Sequence, residues 1–432
     1  MAREYKDSGI EWIGQIPKEW EVNKIGNLYQ VRNEKVSDKD YPPLSVTMNG
    51  IVPQLETAAK TNNGDDRKLV CKGDFAINSR SDRRGSCGVS QYDGSVSLIN
   101  TILKPRGSMN PQYYNWLFHT ELFADEFYRW GHGIVDDLWT TRWQEMKNIS
   151  IVSPSLPEQQ KIADYLDKVC GEVDEMVALQ ETMIEELKAY KQSVITEAVT
   201  KGLNPNTPMK DSGIDWIGEV PEYWEIGRIG LFFFVTKLAG FEYTDTLMNT
   251  ISPDGCIPIV RAQNVRMFKF NKEGISEFTD MGTSLLLNRC SLNQKALLLT
   301  FIGAGIGDVC LFNETQRFHL APNVAKLELN EAYKSNIQEE YVMYYLGSDA
   351  GKGEINKISK ASAQASLSMS TIRKIAFTLP PLSEQQSIAS YLDTKCAEID
   401  ALIAIKQAKI EELKEYKKSV IYEYVTGKKE VV

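Results

Sequence analysis

Arginine, asparagine, glutamine and the hydroxyl residues can hydrogen-bond nucleic-acid base edges and phosphates, and they gather at a few places in this chain. The densest such string is Asn78-Ser79-Arg80-Ser-Asp-Arg83-Arg84-Gly85-Ser86. It follows a predicted strand over 74–77 and ends in Gly85-x-x-Gly88, so it reads as a loop. Arginine can bond guanine O6 and N7 through two parallel hydrogen bonds, and serine and arginine also hold phosphates. Trp139-Thr-Thr141-Arg142, after Gly131-His-Gly133, is a second loop of this kind, with Thr141 and Arg142 as contacts. Further on, Arg261-Ala-Gln263-Asn264-Val-Arg266 reads as a strand emerging into a loop. Glutamine and asparagine pair with adenine in the way arginine pairs with guanine. Lys295, ahead of the apolar run from Leu297, is a candidate phosphate contact, and the turn Gly303-Ala-Gly-Ile-Gly307 would let backbone approach a ligand closely. For the 78–86 string the competing reading is a solvated polar loop.

Two short strings admit catalytic readings. Asn110-Pro-Gln-Tyr113 is similar to the Asn-Pro-Pro-Tyr motif of adenine methyltransferases, and Gly303–Gly307 is similar to a glycine-rich cofactor loop. They lie in different halves of the chain. A helix-start turn and a tight strand–strand turn explain them without catalysis. No G-x-x-x-x-G-K-[ST] string offers an ATP site. Three histidines and seven cysteines with no C-x-x-C pair supply neither a metal site nor a disulfide framework.

The chain that must position these residues has 432 residues and a formal charge of −9. A basic stripe is the usual footprint of nucleic-acid binding, so the average alone argues against it. Much of the acidity, however, sits in 156–200, with four basic and ten acidic residues. No apolar run approaches the ~18 residues of a membrane span, and the first residues lack the apolar core of a secretion signal. A cytoplasmic protein, off the membrane, is expected.

The chain repeats itself. Residues 6–26, KDSGIEWIGQIPKEWEVNKIG, match 210–230, KDSGIDWIGEVPEYWEIGRIG, at 13 of 21 positions. Residues 156–200 and 382–426 match in the same way, from LPEQQKIADYLD and LSEQQSIASYLD to IEELKAYKQSVI and IEELKEYKKSVI. The segments between, about 27–155 and 231–381, show no convincing similarity, so one frame carries two different inserts. The 45-residue blocks are rich in Glu, Lys, Ala, Leu and Gln and read as helices. Their apolar residues step by four and three: Leu166, Cys170, Val173, Val177, then Gln180, then Ile184 and Leu187. The second copy runs Leu392, Cys396, Ile399, Ile403, then Lys406, then Ile410 and Leu413. That spacing is a coiled-coil seam. Gln180 and Lys406 break it at matching places. In an antiparallel pair they would share a polar layer that fixes register, against the alternative that both reach out to water. Trp12, Trp20, Trp216 and Trp224 recur at matching positions and are expected to pack each globule on the helices.

The paired openings, helix starts and helix ends resemble the DNA-specificity (S) subunit of type I restriction-modification systems, over essentially the whole chain. The resemblance implies an α+β fold of two globular α/β target-recognition domains separated by two long antiparallel helices that form a coiled coil, with a pseudo-two-fold repeat. The expected organisation is 1–155, motif and first recognition domain; 156–200, first spacer helix; 201–209, linker; 210–381, motif and second recognition domain; 382–426, second spacer helix; and 427–432, tail. The resemblance implies a non-catalytic subunit. Each variable domain reads one half of a bipartite double-stranded DNA target, and the helices set the spacer and dock modification subunits. The implied partners are two modification (methyltransferase) subunits and two restriction (ATP-dependent motor-nuclease) subunits. The chain itself binds no cofactor; S-adenosylmethionine, ATP and Mg serve the assembled complex. The alternative, a self-contained bipartite-site DNA adenine methyltransferase, needs about another domain's worth of residues.

Overall fold

The structure, a computed structural model, describes residues 3–55, 64–80, 83–133, 139–359 and 366–431. Short apolar and β-branched runs between turn residues extend into strands. In the first half, β1 (Tyr29–Arg32), β2 (Phe75–Asn78), β3 (Cys87–Val89) and β4 (Asn100–Pro105) form an antiparallel sheet in the order β3-β2-β4-β1. All four residues of β2 are buried. In the second half, β5 (Phe233–Lys237), β6 (Ala296–Thr300), β7 (Val309–Phe312) and β8 (Val324–Leu329) form the sheet β7-β6-β8-β5.

The registers correspond. Leu103 of β4 lies opposite Val31 and Phe75, and Leu327 of β8 lies opposite Val235 and Leu297. The two dissimilar inserts therefore build sheets of one topology. The repeated motif contributes a further strand to each half. Glu21–Lys24 pairs with Ser150–Ser153, and Glu225–Arg228 pairs with Ala376–Leu379.

Helix α1 (Pro111–Phe118) and the long α2 (Leu156–Lys201) follow the first sheet; α3 (Glu339–Gly347) and the long α4 (Leu382–Val425) follow the second. The chain divides into two compact units, 1–181 with 407–432, and 182–406. Each long helix thus begins in one unit and ends in the other. In the first unit, Leu166 and Cys170 of α2 and Val420, Ile421 and Val425 of α4 enter one core with Trp20, Phe75 and Tyr113. Tyr165 and Tyr424 stack with ring centroids 4.4 Å apart, and Asp174 meets Lys417, so the two helix segments run antiparallel there. In the second unit, Val194, Ile195 and Val199 join Ile388, Leu392, Trp224 and Tyr341.

The repeated tryptophans anchor these cores. Trp20 and Trp224 are buried, and each donates its indole N–H to the glutamate at the third position of a long helix, Glu158 at 2.9 Å and Glu384 at 3.1 Å. A buried indole removes about 200 Å² of largely apolar surface from water, roughly 5 kcal/mol at 25 cal/mol/Å². Satisfying its N–H avoids the penalty of an orphaned donor. The next pairs are equally matched. Gln159 accepts from the Asn110 N–H and Gln385 from the Gln338 N–H, both at 2.9 Å. Tyr113 donates to the Val425 carbonyl at 2.8 Å, and Tyr341 to the Val199 carbonyl at 3.2 Å. Asn110 caps α1 by accepting from Gln112 N and Tyr113 N, and Tyr113 is fully buried. The Asn-Pro-Gln-Tyr string is thus a helix start whose polar atoms are used by the fold.

Candidate nucleic-acid interface

In the first unit two of the loops singled out by sequence meet. Arg80 bridges antiparallel to Thr140, and Thr141 N donates to Ser79 O at 2.9 Å. Arg80 and Arg142 consequently face one cleft of about 450 Å³, lined also by Asn33, Lys68, Trp143 and Gln144. Among the described residues that line it, three are cationic and none carries a carboxylate. Arg80 and Arg142 are exposed, and among the described residues neither makes an ion pair. Burial holds Lys68 below the ordinary lysine value, and its ammonium donates to Asn100 O at 2.7 Å.

The remaining candidates of this unit occupy different environments. Asn78, Ser79, Ser86 and Thr141 are buried. Asn78 accepts from Arg80 N at 3.0 Å, Ser79 shares a hydrogen bond with Thr101 at 2.8 Å, and Thr141 donates to Phe127 O at 2.7 Å. These four shape the loop, whereas Arg83 projects from it and is exposed. Arg84 pairs with Asp125 and stacks over Tyr128, 5.3 Å from the ring centroid.

In the second unit Arg261 bonds Glu277 at 2.7 Å and stacks on Tyr243. Asn264 is 1% exposed; its oxygen accepts from Arg261 N at 2.8 Å and its amide donates to Asn271 O at 3.1 Å. Lys295 is held between Glu339 and Glu340, at 3.2 and 2.8 Å. Gln263 and Arg266 are exposed. The structure thus brings Arg80 and Arg142 together in a cleft but ties up Arg261, Asn264 and Lys295 within the protein. Gln180 and Lys406 are each half-buried on their own helix, Gln180 near the end of the first unit's α2 segment and Lys406 at the end of the second unit.

Sequence reasoning missed Asn33, Lys68, Trp143 and Gln144. Trp143 and Gln144 directly follow Arg142, which was the available signal. Lys68 sits in the strand Arg67–Val70, where nothing in the local pattern marks it. Among the described residues no His, Cys, Asp and Glu cluster could hold a metal, and no helix is long and apolar enough to cross a membrane.

Two copies of one sheet-and-helix unit, one with a cleft lined by three cations, define a duplicated DNA-recognition scaffold. The chain belongs to the family described as type I restriction modification DNA specificity domain, which it matches twice, over residues 17–189 and 223–415. It is 22% identical, over 96% of its length and 95% of the relative's, to the putative type I restriction enzyme MjaX specificity subunit of Methanocaldococcus jannaschii. It is 24% identical, over 96% and 94%, to the type I restriction enzyme MjaVIII specificity subunit of the same organism. Its fold is similar to that of a chain solved in work on assembly and conformational transition of the type I R-M system, with a TM-score of 0.71, 12% identity, and 95% and 98% of the two chains covered. It also resembles the HsdS subunit of Thermoanaerobacter tengcongensis, with a TM-score of 0.50, 14% identity and the same coverage. The chain is a specificity subunit, and its work is recognition rather than catalysis.

Proposed function

We propose that each unit reads one half of a bipartite double-stranded DNA target, and that the first unit does so through the Arg80–Arg142 cleft. The observation that carries this reading is the convergence of three cations, Lys68, Arg80 and Arg142, on one cleft in a chain of net charge −9. Arginine at its rim supplies either a bidentate guanine contact or a phosphate clamp. Arg83 and Arg84 extend the same loop. Arg80→Ala separates the two roles. A base contact costs about 1–3 kcal/mol and relaxes one position of the methylated motif; a phosphate contact weakens all sequences alike and flattens the salt dependence by about one.

Matched exposed residues support a reading of two modification subunits. Met176 and Leu179 of α2 are 51% and 56% exposed; the matching Leu402 and Ile405 of α4 are 47% and 62% exposed. Each pair lies in its own unit. Isolated apolar side chains at matching places on two helices suit two copies of one partner. Two modification subunits dock on them, with two restriction subunits completing the complex in the cytoplasm. S-adenosylmethionine, ATP and Mg serve those partners. Gln180 and Lys406 help hold helix register and so the spacer between half-sites. If a Gln180→Leu, Lys406→Leu variant keeps the same spacer in a uniform complex, that last role fails.

A further inference from the structure

The loops that close the two sheets have the same length and, among the described residues, share a set of hydrogen bonds. Residues 79–86 join β2 to β3, and residues 301–308 join β6 to β7. Asn78 N donates to Ser86 O at 2.9 Å, and Thr300 N donates to Asp308 O at 2.9 Å. Ser86 N reaches Arg83 O at 3.1 Å, and Asp308 N reaches Gly305 O at 2.9 Å. Thr141 N and Leu367 N each donate at 2.9 Å to the loop's first carbonyl, of Ser79 and Phe301 respectively. The Arg80–Thr140 bridge has its counterpart in Ile302–Ser366. Gly85 and Gly307 both take positive φ, 77° and 90°. This register puts Ile302 in the place of Arg80, Gly305 in that of Arg83 and Ile306 in that of Arg84.

The corresponding surface in the second unit is therefore this loop, and the segment around Arg261 belongs to a different sheet, that of Ile257–Val260. The loop has exchanged its cations for apolar groups. Ile302 is half-buried, and the tip residues Gly303 and Ala304 are exposed. A Cβ built on Gly303, at φ 105°, would meet nothing within 4 Å. Cations stand beside it. Lys237 lies 5.1 Å from the Phe301 ring centroid. Burial pushes the Asp308 carboxyl up, and the charges of Arg266 and Lys352 oppose that push. The one apolar feature that distinguishes a base pair in the major groove is the thymine C5-methyl group.

We propose that the 301–308 loop reads the second half-site, with Ile302 against a thymine methyl group and Lys237 and Arg266 on flanking phosphates. The inference rests on the reading of the Arg80–Arg142 cleft as a DNA-facing surface. It is tested by mapping the methylated motif made by the full chain with its modification subunit, for the wild type and for Arg80→Ala, Ile302→Ala, Ile302→Arg and Gln263→Ala. Ile302→Ala is expected to lose roughly fourfold in discrimination at one A·T position, the fold-change for about one buried methyl group. That position falls in the half left untouched by Arg80→Ala. Ile302→Arg shifts the same position toward guanine, and Gln263→Ala leaves the motif as it was. If Ile302→Arg abolishes methylation, the alanine variant decides. An unchanged motif in the Ile302 variants, with Arg80→Ala still altering the other half, overturns the inference and leaves the first-cleft reading standing. An unchanged motif in all of them overturns both.

Discussion

Lys191 of α2 donates to both carboxylate oxygens of Asp400 on α4, at 2.7 Å each. The same contact recurs in the first unit with the helices exchanged: Lys417 donates to Asp174 at 2.6 and 2.7 Å. Asp174 and Asp400 are matching residues of the repeat, as are Lys191 and Lys417. The ammonium ends are more sheltered than the carboxylates, 20% and 27% exposed against 57% and 64%. Such pairs contribute about 0.2–1 kcal/mol. A double-mutant cycle on Lys191 and Asp400, read by urea unfolding, is expected to show coupling of that size that fades in high salt. A charge-swapped Lys191→Asp, Asp400→Lys chain should recover most of it; recovery no better than in the single variants would deny the pairing.

The two matched tyrosines should not respond alike to loss of the hydroxyl. Tyr113 donates to the Val425 carbonyl from a fully buried position. The Val199 carbonyl, which Tyr341 reaches, also accepts from Thr378 Oγ1 at 2.6 Å. Tyr113→Phe is expected to cost about 1–2 kcal/mol and Tyr341→Phe measurably less, because only the former strands a buried acceptor. Equal costs in denaturant unfolding would count against this.

Burial holds His119 and His319 below the ordinary histidine value. A histidine whose folded value is depressed is protonated more readily in the unfolded chain. Its stability contribution is therefore full above the unfolded value of about 6.5 and is lost as pH falls below it. The melting temperature should drop between about pH 7 and about pH 5. A His119→Gln, His319→Gln chain, whatever its stability at neutral pH, should show a shallower drop.

Docking on the helices is open to the same kind of test. Met176→Glu with Leu179→Glu should remove one modification subunit from the assembled complex, and Leu402→Glu with Ile405→Glu the other. Native mass measurement reads both. Loss of both subunits from either pair of changes, or of neither, would contradict two equivalent sites.

Much of the frame was legible in the sequence. Helix bounds read as 156–200 and 382–426 came out as Leu156–Lys201 and Leu382–Val425, because Pro157 and Pro381 at the starts and Gly202 and Gly427 just past the ends punctuate them. The kinship of the two inserts was not legible. A sheet constrains register and burial rather than identity, so Phe75 can be matched by Leu297, and Ile102 by Lys326, whose ammonium finds Ser291 O at 3.0 Å. The same freedom hid the side chain of the second interface, although its Gly303–Gly307 turn was read as a place of close backbone approach. A search for arginine, asparagine and glutamine found Arg261 and Asn264, side chains committed to the fold. It gave Ile302 no weight, since its place beside the Ser366 bridge exists only once the chain has paired its strands.

The independence of the two recognition units is tested most directly by exchanging residues 27–155 for the corresponding segment of another specificity subunit and sequencing the methylated sites in cells. One half of the bipartite motif should change to that of the donor while the other half stays as it was. A hybrid in which both halves change together would contradict the claim that each unit reads its half alone.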